Sequence, residues 1–205
     1  MTLMIQYDYV SWERLFPGYG IDLSALRFEP GDDCRAGAAL ALKHLRLGRR
    51  PKPGRVAETL YELRDAVAAA ADLKSCYAAV FFPNPKRTSD HLRLEFTVYD
   101  NRQASLNPAQ TLSAEIFDPA RTDVVVEGPD QIELPCGPAL RVLQMTTAQE
   151  PDGTIVHRHP RMTICGSSPS GRTQFVIRGH ATTGALADML DEMVTAWAKG
   201  LSLPA

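Results

Sequence analysis

The chain has 205 residues, 44% of them hydrophobic and 22% charged, with a formal net charge of −2 at pH 7. That is the make-up of a soluble globule large enough to bury a core unaided. It excludes a chain whose overall field would recruit nucleic acid or an anionic membrane, and no apolar run approaches the ~20 residues of a membrane span.

The first twenty residues hold Tyr7, Tyr9, Trp12, Phe16 and Tyr19, five of the fifteen aromatics. They form an aromatic-rich arm that folds onto the body or docks on a partner through Tyr9, Trp12 and Phe16, since Trp and Tyr make good anchors. The N-terminus carries neither a basic leader nor an apolar core of the signal-peptide kind, so a cytoplasmic protein is expected. The four cysteines (Cys34, Cys76, Cys136, Cys165) are widely spaced, without a C-x-x-C pair. Reduced thiols fit that spacing better than disulfides or a zinc site.

Asp32 and Asp33 cap a predicted helix over Cys34 to Leu47. A link with Pro51 and Pro53 breaks it, and a second helix follows from Arg55 to Leu73, with Val56, Leu60, Leu63 and Val67 as its apolar stripe. Six cations and no acid lie between Lys43 and Arg55. This basic loop, with Arg46, Arg49, Arg50 and Arg55, is a solvated connection or an electrostatic contact for an acidic protein or a phosphate-bearing ligand. Aromatics do not interleave with it, which argues against single-stranded nucleic acid.

Residues Cys76 to Phe82 are almost continuously apolar and predict a central strand covered on both faces. Leu92, Leu94, Phe96 and Val98 alternate with Arg93, Glu95, Thr97 and Tyr99, which predicts a half-exposed strand. Asn107-Pro108 opens a helix to Phe117 as cap and first residue. Two short strands are expected at Val124–Val126 and Ile132–Leu134. A long hairpin then spans Glu133 to Ile164 around the turn signal Pro151-Asp152-Gly153, followed by a strand at Arg172–Gly179. A closing helix from Gly184 to Lys199 sets Leu186, Leu190, Met193 and Trp197 on one face. Trp197 should lie against the sheet, so that Trp197→Ala costs about 3–5 kcal/mol.

These elements predict a single α+β domain over residues 1–205, a twisted antiparallel sheet of six or seven strands flanked by helices. Residues 75–99 and 131–199 carry the turn Leu134-Pro135-Cys136-Gly137-Pro138, a strand with Arg141, an acidic hairpin tip at Glu150–Gly153, a strand over Ile155–Ile164, and a last strand from Phe175 into an amphipathic helix. In this order of features the chain resembles a group of uncharacterised bacterial proteins and looks like the PsbP-like α/β fold, a sheet sandwiched by helices. The resemblance implies adaptor, assembly or ligand-binding roles. The family-like strand is usually apolar where this chain has His157-Arg158-His159-Pro160.

His157 and His159, two apart on a strand, would share a face and offer two ligands to zinc, copper or nickel, with His180 as a third. Pro160 beside them suggests a sheet edge or a bulge. Cys136 and Cys165 lack the setting of an activated thiolate. Gly166-Ser167-Ser168-Pro169-Ser170-Gly171 joins two strands, so it is a hairpin loop and not a phosphate loop backed by a helix. No Walker, Rossmann, EF-hand or H-E-x-x-H motif occurs. The expectation is a non-enzymatic protein without a cofactor that contacts another protein or a second copy of itself. A metal- or small-ligand-binding protein centred on His157 and His159 is the alternative.

Overall fold

The computed structural model describes residues 19–22, 34–43, 52–61, 75–84, 86–100, 107–116, 123–149 and 152–200. Seven strands, β1 (Tyr19–Asp22), β2 (Ser75–Phe82), β3 (Leu92–Asp100), β4 (Asp123–Leu134), β5 (Gly137–Gln149), β6 (Ile155–Ser167) and β7 (Thr173–Ala181), form one sheet in the order β1-β2-β3-β7-β6-β5-β4. Every pairing is antiparallel. The helices are α1 (Arg35–Lys43), α2 (53–61), α3 (Pro108–Ile116) and α4 (Ala187–Lys199), the last entered through a 3-10 turn at Gly184–Leu186. The α+β class and the helix-flanked antiparallel sheet are as expected from the sequence.

Local chemistry sets the turns. Gly137, at φ +124°, lets β4 reverse into β5 within two residues, a conformation costly for any other residue. Asp152 accepts a hydrogen bond from the Thr154 amide at 2.9 Å while Gly153 takes φ +85°, closing the β5–β6 hairpin. At the start of α3, Asn107 and Gln110 cap each other reciprocally, at 2.9 and 3.0 Å.

One face of the sheet is apolar. Leu92, Leu94, Phe96, Met162, Ile164, Phe175 and Ile177 pack there under Leu190, Met193, Val194 and Ala198 of α4. The helix comes close because Gly179 has no side chain: a Cβ there would run into Val194 Cγ2 and stand 2.8 Å from Leu190 Cδ1. Trp197 lies against the sheet edge-on to Phe96, ring centroids 6.1 Å apart, but it is only half-buried. The expected cost of Trp197→Ala therefore falls to the low end of its range, about 3 kcal/mol.

Two expectations are corrected. The two short strands at Val124–Val126 and Ile132–Leu134 are one strand, β4. Its partner β5 is long enough to pair along it from Leu134↔Gly137 to Asp123↔Thr146, and the break at Gly128-Pro129 is absorbed as register shifts. The strand β3 is not half-exposed: Glu95 and Thr97 on its polar side are 8% and 2% exposed. Alternation identified two unlike faces, but on this strand both are covered.

Candidate ligand pocket

The covered polar face of the sheet holds the candidate site. Residues opposite one another on neighbouring strands project to the same side, and so do residues two apart on one strand. Register therefore sets out rows of side chains. The first row runs Arg93, His180, Arg161, Gln144 across β3, β7, β6 and β5, and the second runs Glu95, Arg178, Thr163, Val142. The third, Thr97, Val176, Cys165, Leu140, is mostly apolar, and α3 closes over it with Leu112 against Val142, Cys165 and Val176. The face thus grades from an apolar end under α3 to a cationic end at the first row.

Burial makes the polar rows unusual. Arg161 is 2% exposed, Thr163 and Gln144 are both fully buried, and charged groups are placed there only when something compensates them. The Arg93 guanidinium pairs with Glu95, two residues along β3. Arg178 donates from Nη1 to Thr97 Oγ1 at 3.3 Å. Burial, and after it the neighbouring Arg178 charge, lowers the Arg93 pKa from its ordinary value. Among the described residues, Arg93 Nε, Thr163 Oγ1 and both polar atoms of the Gln144 amide are buried without a hydrogen-bond partner. Among the described residues, the first two rows carry the guanidinium groups of Arg93, Arg161 and Arg178 and the carboxylate of Glu95.

At its cationic end this face opens into a cavity of about 230 Å³ lined by His91, Arg93, His159, His180, Ala181 and Thr182. Beyond the last β3–β7 rung, His91 and Thr182 close one wall. The Thr182 amide donates to the His91 carbonyl at 3.1 Å, and the His91 amide donates to Thr182 Oγ1 at 3.0 Å. The His91 ring sits with Nδ1 3.2 Å from the Thr88 carbonyl, which places the proton on Nδ1 in the neutral ring. Thr88 in turn is held to α2, because its carbonyl accepts from Thr59 Oγ1 at 3.3 Å. His159 is exposed at the rim and His180 is half-buried. A second cavity, about 280 Å³ between Pro108, Gln131 and Leu140, has no titratable group in its wall.

Of the predicted metal ligands, His159 and His180 reach the same cavity. His157 belongs to β6, but its side chain lies outside the described residues. A bulge opposes His157 to Thr147 and His159 to Thr146, consecutive residues of β5. Pro160 follows this bulge and precedes the first β6–β7 pair, Arg161↔His180, so its missing N–H deprives β7 of nothing. Among the described residues no three His, Cys, Asp or Glu side chains are grouped to hold a metal ion. The Arg93 guanidinium in the cavity wall repels a divalent cation and attracts an anion.

Cys136 is buried in the β4–β5 turn, and burial pushes its thiol up to about 11, away from a nucleophilic thiolate. Of the predicted protein contacts, Tyr9, Trp12, Phe16, Arg46, Arg49 and Arg50 lie outside the described residues. Arg55 is exposed on α2 and donates to the Lys86 carbonyl at 3.4 Å. Among the described residues no helix is long and apolar enough to cross a membrane.

Reading the sequence alone misses Arg93, Arg161, Arg178 and Gln144 as members of one site. A signal was available: β6 and β7 each carry an arginine and a histidine two apart, His159/Arg161 and Arg178/His180. Antiparallel pairing of such strands joins both pairs on one face. No family model and no characterised protein matches this sequence.

Proposed function

We propose that this chain is a non-enzymatic binding protein that holds a small anionic molecule at the cationic end of its covered sheet face. The single observation that carries this reading is the cavity lined by Arg93, His91, His159 and His180 at the edge of the row Arg93, His180, Arg161, Gln144. The Arg93 guanidinium in the cavity wall has its Nε buried without a hydrogen-bond partner among the described residues, and a ligand anion would supply both acceptor and negative charge. The cavity is smaller than the ~300–1,000 Å³ of drug-sized sites, which favours a small anion or the charged head of a larger molecule over a bulky cofactor. The resemblance to PsbP-like proteins, whose roles lie in binding and assembly, points the same way. A cytoplasmic location suits the buried cysteines Cys34, Cys136 and Cys165.

Thermal unfolding at constant ionic strength tests this reading. Acetate or phosphate should raise Tm above the value in chloride, because a ligand bound only by the folded state stabilises it by mass action. The rise should disappear in Arg93→Gln and shrink in His180→Asn. Equal Tm in all three salts would reject the anion site.

A protein-docking role is the second reading, favoured by Tyr61, which is 51% exposed on α2, the helix that also carries exposed Arg55. Loss of a self-association measured by light scattering in Tyr61→Ser would support it, and unchanged mass would remove this surface.

A further inference from the structure

The cavity walls carry more than a net positive charge; they carry it from several directions. Arg93 comes from β3, His180 from β7, His159 from β6, and His91 from the residue ahead of β3. A carboxylate presents two oxygens in one plane and a single charge, which one guanidinium fork satisfies. A phosphoryl group presents three terminal oxygens around a tetrahedron and about −1.5 to −2 charges at neutral pH. Oxygens spread around a tetrahedron meet donors converging from three strands more fully than the coplanar pair of a carboxylate, and they bring more charge.

The imidazoles also suit a dianion as hydrogen-bond donors. The contact of Nδ1 with the Thr88 carbonyl holds the His91 ring in the cavity wall. A protonated imidazole donates from both ring nitrogens and adds positive charge for a dianion to meet. The described charged groups around the cavity are Arg93, His91, His159 and His180, with Glu95, Arg178 and Arg161 deeper on the same face.

We propose that the anion held here is a phosphoryl group, carried by a phosphate monoester whose organic part leaves past the exposed rim at His159, an inference that rests on the anion-site reading. Glu95 already partners Arg93 on the interior side, so the bound group completes the guanidinium's ring of acceptors from the cavity side. No bond is made or broken.

Isothermal titration at pH 6.5 with inorganic phosphate, phenyl phosphate and acetate as probes tests the inference. Phosphate and phenyl phosphate should bind at least about tenfold more tightly than acetate, a difference of one charge-assisted hydrogen bond. Phenyl phosphate matching or exceeding inorganic phosphate identifies an ester site, whereas an ester excluded from a site that takes free phosphate would overturn the ester part. His159→Gln, at an exposed position that leaves the core intact, should weaken both phosphates about tenfold and acetate less than twofold. Acetate binding as tightly as phosphate, with both lost in Arg93→Gln, would defeat the phosphoryl assignment and leave the anion site standing. If none of the three probes binds, both fall.

Discussion

Gln144 and Arg161 face each other across the β5–β6 ladder, and both are shut inside the protein, at 0% and 2% exposure. Such a row is an unusual interior for a sheet whose other face is filled by Leu, Ile, Phe and Met. Its presence separates two tasks: one face holds the fold together, and the other holds charge.

The Gln144 amide is a cost the fold bears, since neither polar atom finds a hydrogen-bond partner among the described residues. Gln144→Met keeps the unbranched shape and removes both orphaned atoms. It should stabilise the protein by about 1–2 kcal/mol in urea unfolding, because an unsatisfied buried group costs about that much and its apolar replacement does not. A loss of stability would mean that the amide makes bonds the fold depends on.

Close approach of α4 depends on Gly179. Gly179→Ala puts a methyl group into Val194 and Leu190, both buried on the helix. Overpacking of this kind costs about 1–3 kcal/mol. Thermal unfolding should show the loss, and Gly179→Ala combined with Val194→Ala should recover part of it. A neutral single variant would show that the helix is free to move away.

Cys136 links stability to alkaline pH. Burial raises its thiol from an ordinary 9.0 to about 11, so the folded state keeps the proton that the unfolded state gives up. Its contribution is fully present below pH 9 and is lost as pH rises through 11. At one pH unit to about 1.4 kcal/mol, the loss is on the order of 2–3 kcal/mol. Other groups titrate in this range, so the measurement is the difference in unfolding free energy between the wild type and Cys136→Ala at pH 8 and pH 11. That difference should narrow with rising pH; a constant gap would remove the thiol from the account.

Much of the fold is legible from local pattern. The stretch Cys76–Phe82 is a strand, buried on both sides from Ala78 to Phe82 because its apolar run leaves no face for water, and Asn107-Pro108 starts α3 because its capping needs only neighbours in sequence. The hairpin around Gly153 and the stripe of Leu190, Met193 and Val194 on α4 are legible for the same reason. The break at Gly128-Pro129 misleads because a local irregularity does not show that its partner strand continues past it.

By itself, then, the sequence determines which segments are strands and helices and which side of each is apolar, since these follow from periodicity and turn chemistry within a few residues. Only the tertiary structure decides that β3, β7, β6 and β5 lie side by side, bringing Arg93, His180, Arg161 and Gln144 into one row from positions as far as 87 residues apart. It also decides that the polar side of β3 is covered and not solvated. Strand order and burial are properties of the assembled sheet, and no short stretch of chain encodes them.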